Sequence, residues 1–374
     1  MPPTAPELAR AFASGVVAPN IGSWEQRGRF PRAEVAGSGL TGLFSPADDG
    51  GLDLSFPDAV AVFEELGRGD AALAFSLSMH NAVASAITRA GTDQIRERWA
   101  GPLVSGAALG CFSLTEPQAG SDATAISTLA TQDPDGGWHL TGTKAWVSLG
   151  GEADVYAVVA KTSTEPGHAD IAMFVVEGAH AGVSHSDPYD KAASRFLPIT
   201  TMQLRDVPAQ VLVEPGQGMR AALAAIDVAR FDIAAISGGL HAEALDVAIR
   251  YATRRTTFGR PLIEHQGVAF ALADVATELE AARALTLRAA ELLGTDQGPV
   301  AVAHAKRYGP DAALRAAITC SEVLGAYGWL NDYPLARFIA LAKMLQVVDG
   351  TAEIQRMVIA RDLARRGRAE DRPA

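Results

Sequence analysis

The spacing of apolar residues changes character twice along the chain. In the first third, apolar residues recur at helical spacing, as in residues 56–67, where Pro57 stands at a position typical of a helical first turn. From about Ala107, short runs rich in β-branched and aromatic residues alternate with glycine-rich turns. After Pro215, long helical patterns rich in Ala and Leu return. The chain therefore predicts helices, then strands, then helices.

These patterns predict a mainly α protein with a central β-domain. We expect an N-terminal helical domain over residues 1–106, an antiparallel sheet or barrel over 107–214, and a bundle of antiparallel helices over 215–374. The predicted strands cover residues 138–141, 155–160 and 171–176. The predicted long helices cover residues 219–256, 266–293, 299–327 and 333–348.

Length and charge narrow the functional classes. A chain of 374 residues exceeds one typical hydrophobic core, so two or three packed domains are expected. A formal net charge of -11 argues against tight nucleic-acid binding, which needs a surplus of Lys and Arg. No apolar run approaches the roughly eighteen residues of a membrane span, and the N-terminus resembles neither a secretory nor a transit peptide. We therefore expect a cytoplasmic protein.

The two cysteines, Cys111 and Cys320, lie in apolar or helical surroundings. Two cysteines are too few for a disulfide framework or a cysteine metal site, and no metal centre is predicted. We expect both side chains to be small buried apolar groups rather than catalytic thiols.

Residues 37–42, Gly-Ser-Gly-Leu-Thr-Gly, satisfy the G-x-G-x-x-G dinucleotide-binding pattern. That pattern binds a pyrophosphate where it leaves a strand and opens a helix. Here a helical segment precedes the pattern, and Pro46 with the glycines at 50 and 51 interrupts any helix that would follow. The segment is therefore predicted to be a loop.

Residues suited to cofactor binding concentrate in five other segments. Residues 114–122 combine hydroxyls, glycine and backbone amides that could hold a polar ring edge or a phosphate. Trp146 and Ser148 are two residues apart, so a strand would place an aromatic face and a hydroxyl on the same side. Three potential phosphate binders lie between two predicted long helices: Arg255, Thr257 and Arg260. Two further segments place a carboxylate beside glycine at a helix end: 322–328 and 346–356.

In order along the chain, these segments resemble the signatures of the acyl-CoA dehydrogenase family. Those signatures read L/V-T-E-P-x-A-G-S-D, G-x-K-x-W-I-T/S, R-x-x-F-G separated by six residues from a Gln, and a Glu-Gly-Thr followed by I-Q-R. The counterparts here begin at Leu114, Gly142, Arg255 and Asp349, within a resemblance that covers roughly Phe56 to Arg361. Because four collinear motifs match, the chain is identified by resemblance as a member of this family.

The resemblance implies an N-terminal helical domain, a β-barrel-like middle domain and a C-terminal four-helix bundle, with FAD extended between the last two. Because the family's counterparts of Arg255 and Phe258 reach the FAD of a neighbouring subunit, a homo-oligomer, either tetramer or dimer, is implied. The implied cofactor-binding residues are Phe112, Leu114, Thr115, Gly120, Ser121, Trp146, Ser148, Arg255, Phe258, Gln266, Glu322, Gly325, Thr351 and Glu353. The implied substrate-binding residues are Ser121, Arg230 and Gly350.

The family's catalytic base is usually the Glu immediately before Gly-Thr, and this chain has Asp349 there. A smaller branch places the Glu before an arginine of an earlier helix, where this chain has Ala229. Aspartate retracts the carboxylate by roughly 1.5 Å, and a misplacement of about 1 Å can cost on the order of a hundredfold in rate. Asp349 is the predicted base; the alternative is an Asx-turn that ends a helix before Gly350.

Other positions also carry alternatives. Arg230 resembles the family's arginine near the active-site helix, but it could instead pair with Asp227 within the helix. His265 is either part of the cofactor channel or a surface partner of Glu264. Glu322 stands where the family usually has Gln, and its charge near a flavin diphosphate would be unfavourable unless paired.

The resemblance implies α,β-dehydrogenation of an acyl-CoA or acyl-carrier-protein thioester. Asp349 would take the α-proton, flavin N5 would accept the hydride, and an electron-transferring flavoprotein would accept the electrons. One alternative is a flavin oxidase resembling nitroalkane oxidase, which uses an Asp at this position. Another is a non-catalytic acyl- or partner-binding protein, although intact cofactor motifs argue against it.

Overall fold

The computed structural model describes residues 3–163 and 170–370 and divides the chain into two compact units. The first unit consists of Met1–Ala9, Pro19–Ser55 and Phe75–Ala229. The second consists of Arg10–Ala18, Phe56–Ala74 and Arg230–Ala374.

Helices form the N-terminal third, as its apolar spacing predicts. Pro57 lies in the first turn of its helix, where its missing N–H is not needed. Thr92 caps a later helix, because its side chain accepts a hydrogen bond from the Ile95 N–H at 3.4 Å. The helices are α1 Ala5–Phe12, α2 Ala18–Arg27, α3 Arg32–Ala36, α4 Phe56–Gly69, α5 Ala71–Ala90 and α6 Asp93–Val104, with a π-helical turn at Ala13–Val17.

The segment with the dinucleotide-like glycine pattern is a loop, as predicted. Helix α3 ends at Ala36, and a short 3-10 turn at Ala47–Asp49 follows the segment. A Cβ on Gly42 would lie 2.8 Å from Val104 Cγ1, so this glycine allows close packing against the end of α6. Gly42 therefore has a structural role in chain packing.

Seven strands form one sheet in the middle of the chain, paired in the order β1-β4-β2-β3-β7-β5, with β6 added to β7. Because β4 also pairs with β5, the pairings close into a cycle and give the sheet its barrel-like character. The strands are β1 Gly110–Ser113, β2 Leu129–Gln132, β3 Trp138–Ser148, β4 Val155–Lys161, β5 Ile171–Glu177, β6 Val183–His185 and β7 Ile199–Val213.

The sheet differs from the predicted antiparallel arrangement in two pairings. Strands β1 and β2 both run parallel to β4, while the remaining pairs are antiparallel. Parallel pairing needs a long crossover, and the chain between β1 and β4 supplies it by forming β2 and β3 on the way. Apolar spacing identifies strands but carries no information about their direction.

The core of the first unit lies where α5 and α6 pack against the sheet. Val83, Ile87 and Leu103 from the helices meet Val155 and Val159 of β4, and all five are buried. Helix α5 is long and apolar enough to cross a membrane by length and composition alone, but 83% of its most apolar window is buried inside the protein. Core helices pass the same test, so this helix is weak evidence for a membrane span.

The long helices predicted for the C-terminal part are present, with bounds that agree to within about three residues. From Arg230 onward they belong to the second unit. Helix α9 packs against α8, α10 and α11. A Cβ on Gly239 would lie 1.9 Å from the Glu64 carbonyl oxygen, so only glycine permits this approach of α4 to α7. The elements are α7 Gly218–Arg254, β8 Thr256–Thr257, β9 Arg260–Pro261, α8 Gln266–Leu292, α9 Gly298–Leu324, α10 Leu335–Val347 and α11 Ala352–Glu370.

Cys111 and Cys320 are both free and fully buried. This confirms the prediction that they are small buried groups. Burial raises the pKa of the Cys320 thiol to about 12, which makes it unreactive as a nucleophile.

Candidate active site

A buried ion pair organises the predicted cofactor loop of the β-domain. The Lys144 ammonium donates to Glu116 Oε1 at 2.7 Å and to the Leu114 carbonyl oxygen at 3.0 Å. Both charged side chains have 0% exposure. Because a buried charge is stable only when it is paired and hydrogen-bonded, this lysine fixes the loop to β3.

The Glu116 carboxylate is hydrogen-bonded at both oxygens. Oε2 accepts from the Ser127 N–H at 2.6 Å and the Gln118 amide at 2.7 Å, and Oε1 accepts from the Thr128 N–H at 2.9 Å. Burial alone would raise the pKa of Glu116, but the charge of Lys144 and these hydrogen bonds lower it to about 2. Burial in turn lowers the pKa of Lys144 to about 8. The pair therefore closes the loop from Leu114 to Thr128.

The predicted flavin-lining residues in and before this loop differ in exposure. Leu114 is buried, Phe112 and Thr115 are half-buried, and Gly120 and Ser121 are exposed. The Ala145 N–H donates to the Thr115 carbonyl oxygen at 2.9 Å, which brings Thr115 beside β3. The structure thus places Thr115 next to the strand that carries Trp146.

Trp146 and Ser148 do not share a face, so that expectation is wrong. The register of β3 against β7 shifts between Lys144 and Val147, and Trp146 has a φ of 58°. This bulge interrupts the alternation of side chains. Trp146 is 64% exposed and packs edge-on against Tyr189, with ring centroids 4.7 Å apart, whereas Ser148 is 7% exposed.

The hairpin between α7 and α8 presents exposed groups. Arg255 and Gln266 are exposed, and Phe258 is 97% exposed with a φ of 49°. His265 Nε2 lies 3.1 Å from the Thr257 carbonyl oxygen, so this histidine bonds within the hairpin rather than serving only as a surface partner of Glu264. A fully exposed phenylalanine in a left-handed conformation is unusual and is typical of a residue that contacts a further molecule.

The segment after α9 is also open to solvent. Glu322 and Gly325 are exposed, and Gly325 has a φ of 60° and a ψ of -132°, which side-chain-bearing residues rarely adopt. Glycine therefore ends α9 and lets the backbone turn at once into the short helix Gly325–Trp329.

Asp349 and Gly350 lie in the four-residue connection between α10 and α11, and the carbonyl groups of both residues accept hydrogen bonds. Arg230 Nε donates to the Asp349 carbonyl oxygen at 2.8 Å, and Gln355 Nε2 donates to the Gly350 carbonyl oxygen at 3.1 Å. Asp349 has a φ of 51° and Gly350 a φ of 100°. A Cβ on Gly350 would lie 2.9 Å from Arg230 Nη2, so glycine is required beside the arginine.

The side-chain carboxylate of Asp349 differs from the backbone carbonyl groups of this turn in its hydrogen bonding. Its Oδ2 atom is buried and has no hydrogen-bond partner among the residues that the structure describes. Burial raises the pKa of Asp349 above the usual aspartate range, and the positive charges of Lys306 and Arg230 partly oppose that rise. A buried acceptor without a donor is uncommon, and proton transfer is one of the roles that explain it.

The remaining predicted residues of this region lie at the start of α11. Thr351 Oγ1 accepts from the Ile354 N–H at 3.5 Å, in the manner of a helix cap. The Glu353 side chain is 74% exposed and lies 2.8 Å from Arg356. Glu353 therefore faces solvent.

Comparison with known proteins matches all parts of the chain. Models of the acyl-CoA dehydrogenase N-terminal, middle and C-terminal domains match residues 5–107, 111–207 and 216–364. The chain belongs to the acyl-CoA dehydrogenase family.

Relatives within the family agree over nearly the full length. The chain is 35% identical to the short-chain specific acyl-CoA dehydrogenase of Megasphaera elsdenii, over 96% of this chain and 97% of that one. The structure of butyryl-CoA dehydrogenase from the same organism matches with a TM-score of 0.91 and 33% identity, covering 96% and 97% of the two chains. A Mycobacterium smegmatis glutaryl-CoA dehydrogenase solved with FADH2 matches with a TM-score of 0.89 and 25% identity, covering 96% and 93%.

The structure adds a residue that sequence reasoning missed in this acyl-CoA dehydrogenase family member. Lys306 is 1% exposed in α9, and its Nζ donates to the Leu345 carbonyl oxygen at 2.7 Å. One signal was available, because Lys306 falls on the apolar stripe that contains Val302, Gly309 and Ala313 at helical spacing.

Two further roles also emerged only from the coordinates. Gln355 belongs to the I-Q-R signature, but its hydrogen bond to the Gly350 carbonyl depends on the turn between two helices. The ion pair of Glu116 with Lys144 joins two motifs that sequence reasoning treated separately. Within residues 3–163 and 170–370, no group of three or more His, Cys, Asp or Glu could hold a metal ion.

Proposed function

We propose that the chain catalyses α,β-dehydrogenation of an acyl thioester, with Asp349 as the base that removes the α-proton. The observation that carries this proposal is the buried Oδ2 of Asp349, which has no hydrogen-bond partner among the described residues and stands at the family's base position. The chain is an oxidoreductase with FAD as its cofactor, as its family relatives indicate.

The exposed aromatic and polar groups of the predicted cofactor segments are suited to binding FAD. Trp146 offers a large exposed aromatic face to a flat ring, and the open loop at Gly120 and Ser121 offers polar groups to a phosphate. When bound, FAD would supply the group that accepts the hydride leaving the substrate β-carbon. In the proposal, Thr115 and Ser148 lie along the flavin, and Arg255 and Phe258 reach the cofactor of a neighbouring subunit.

In the proposed mechanism the chain's own residues hold and move the α-proton. The ionised carboxylate of Asp349 accepts that proton, and its buried position keeps water away from the acceptor. Arg230 and Gln355 hold the turn by its two carbonyls and so fix where the carboxylate points. Arg230 therefore supports the substrate site through the backbone of Asp349.

We further propose an acyl-CoA substrate of short chain, because the relatives named above act on short-chain, butyryl and glutaryl thioesters. An acyl-carrier-protein thioester is the alternative carrier. An electron-transferring flavoprotein is the proposed electron acceptor, a tetramer or dimer the proposed assembly, and the cytoplasm the proposed location. The 97% exposure of Phe258 supports an assembly in which a second chain covers it.

Anaerobic mixing with butyryl-CoA and with glutaryl-CoA tests the proposal. The FAD-loaded protein should lose its yellow absorbance on mixing with at least one of the two thioesters. Formation of the corresponding enoyl-CoA, followed by chromatography, should match the flavin reduced. The proposal would be overturned if the flavin stayed fully oxidised with butyryl-CoA, with glutaryl-CoA and with a panel of longer and branched acyl-CoA thioesters.

The aspartate itself favours a second candidate. Nitroalkane oxidase, to which the base position bears a resemblance, uses an Asp to deprotonate a carbon acid, and Asp349 is the corresponding residue here. Aerobic incubation with a nitroalkane distinguishes the two functions. Hydrogen peroxide released from the nitroalkane, with no flavin reduction by any acyl-CoA, would favour the oxidase.

A further inference from the structure

Lys306 is a buried ammonium in the interior of the second unit. It lies on α9 with 1% exposure. Burying an ammonium costs several kcal/mol unless its donors are used. Nζ donates to the Leu345 carbonyl oxygen at 2.7 Å, which satisfies one of its three N–H groups. One hydrogen bond does not offset the cost of burying the ammonium, so other interactions must stabilise the charge of Lys306.

The acceptor lies at the end of α10. Leu345 belongs to the last turn of a helix that ends at Val347, where carbonyl oxygens lack partners within the helix. A cation at such an end both donates hydrogen bonds to these carbonyl oxygens and complements the helix dipole. Asp349 follows four residues after Leu345, so Lys306 fixes the turn of helix from which the base departs.

Charged groups from three elements act on Lys306. They are Asp349 after α10, Arg230 on α7 and Asp311 on α9. Asp311 already pairs with Arg307 and accepts from Gln346 Nε2 at 2.7 Å, so its charge is largely offset. Arg230 uses its Nε on the Asp349 carbonyl oxygen. The carboxylate of Asp349 is therefore the anion on which the charge of Lys306 chiefly acts.

We propose that Lys306 is a positioning residue for the base: it anchors the last turn of α10 through Leu345 and places a buried positive charge next to the turn that carries Asp349. This inference rests on the proposed function, in which Asp349 removes the α-proton. Burial of Asp349 raises its pKa, and Lys306 is the first of the two cations that oppose the rise.

The test replaces Lys306 by Met and, in a second variant, by Gln, which keeps one N–H donor for Leu345. Lys343→Met is the matched control, because Lys343 is exposed on α10 and donates to Gln346 Oε1 at 2.9 Å. The rate of flavin reduction by butyryl-CoA is measured anaerobically across acid, neutral and alkaline pH. Both Lys306 variants should shift the rising limb of the profile to higher pH by about one unit or more, with recovery of the rate in alkali.

Lys343→Met should reproduce the wild-type profile. A loss in the Lys306 variants by the same factor at every pH would overturn the proposal, because a merely structural lysine would act without regard to pH. Lys306→Gln decides the question if Lys306→Met fails to fold.

A second readout does not depend on activity. Thermal unfolding of the FAD-loaded protein is compared for the wild type, Asp349→Asn, Lys306→Gln and the double variant at neutral pH. Asp349→Asn should raise the melting temperature more when Lys306 is absent, because the buried carboxylate then lacks one of the two cations that offset its charge. Strictly additive shifts would overturn the inference. If no acyl-CoA reduces the wild-type flavin, the proposed function fails, while this cycle still decides whether Lys306 and Asp349 are coupled.

Discussion

Each unit of the molecule buries a carboxylate under the influence of a lysine, and the two arrangements differ in what they leave free. In the first unit, Lys144 donates directly to Glu116 at 2.7 Å. In the second unit, Lys306 donates instead to the carbonyl oxygen of Leu345 at 2.7 Å. Glu116 receives further hydrogen bonds from the loop that it closes, whereas Asp349 Oδ2 has no partner among the described residues.

The difference changes the chemistry of the two acids. Burial raises the pKa of both, but direct contact with Lys144 and several hydrogen bonds bring Glu116 down to about 2. For Asp349 burial prevails, and its pKa stays raised. A carboxylate with hydrogen bonds at both oxygens holds its loop in place, because any movement would break all of these hydrogen bonds together. A carboxylate with a free lone pair keeps the capacity to accept a proton.

The largest expected effect concerns the free carboxylate. Asp349→Asn should reduce the rate of flavin reduction by acyl-CoA by about a hundredfold to ten-thousandfold, the usual contribution of a general base. FAD should stay bound, because the cofactor segments are untouched. Stopped-flow absorbance under anaerobic conditions measures the rate. Asp296→Asn, at an exposed position in the loop after α8, is the control; equal rates in the Asp349 and Asp296 variants would remove Asp349 from the mechanism.

The next effect concerns Glu116, whose carboxylate has hydrogen bonds at both oxygens. Glu116→Gln should lower the free energy of unfolding by about 3–5 kcal/mol, because it leaves Lys144 buried without its counter-charge. Asp349→Asn should leave stability unchanged or raise it, since it removes a buried charge that the fold does not fully satisfy. Denaturant unfolding followed by circular dichroism compares them. A loss in Asp349→Asn as large as in Glu116→Gln would erase the distinction between the two acids.

The pH dependence of stability should have opposite signs at the two sites. The pKa of Glu116 is lowered from 4.5 to about 2, so its contribution is present above pH 4.5 and is lost as pH falls through 2. The pKa of Asp349 is raised from 3.8, so its contribution is present below pH 3.8 and is lost as pH rises through the folded value.

Unfolding of the wild type and of each neutral variant across acid to neutral pH checks these signs. The stability difference between Glu116→Gln and wild type should shrink as the solution becomes acidic. Any stability gained by Asp349→Asn should instead grow toward neutral pH. Parallel curves for the two variants would contradict the assigned shifts.

A smaller effect is expected at the turn that carries Asp349. Gly350→Ala should cost about 1–3 kcal/mol of stability, the usual cost of a left-handed residue with a side chain, because Gly350 has a φ of 100°. It should also slow flavin reduction. The new Cβ would lie only 2.9 Å from Arg230 Nη2, so the arginine side chain would have to move. Thermal unfolding and anaerobic reduction measure both effects.

Gly22→Ala is the matched control and the smallest change. Gly22 lies within α2, and a Cβ there would meet nothing within 4 Å. Alanine should therefore stabilise the protein by up to about 1 kcal/mol. A Gly350→Ala variant as stable and active as Gly22→Ala would show that the turn tolerates a side chain.

Much of the fold could be predicted from the sequence. The bounds of α7, α8, α9 and α10 agree with the helical patterns, and β4 and β5 coincide with the predicted apolar runs. The resemblance predicted family membership, which the domain matches confirm. The predicted site residues stay predictions, except that the shared face of Trp146 and Ser148 is wrong because of the bulge at Trp146.

The sequence by itself determined the order of elements, the buried cysteines and the identity of the acid at the base position, because apolar spacing and local motifs act over a few residues. Only the tertiary structure decided which strands pair in parallel, which carboxylate is saturated with hydrogen bonds, and that Lys144 and Lys306 are buried. Glu116 and Lys144 are 28 residues apart, and Lys306 and Leu345 are 39 apart. Contacts at such separations depend on how helices and strands pack, and that packing sets the burial and charge that distinguish Glu116 from Asp349.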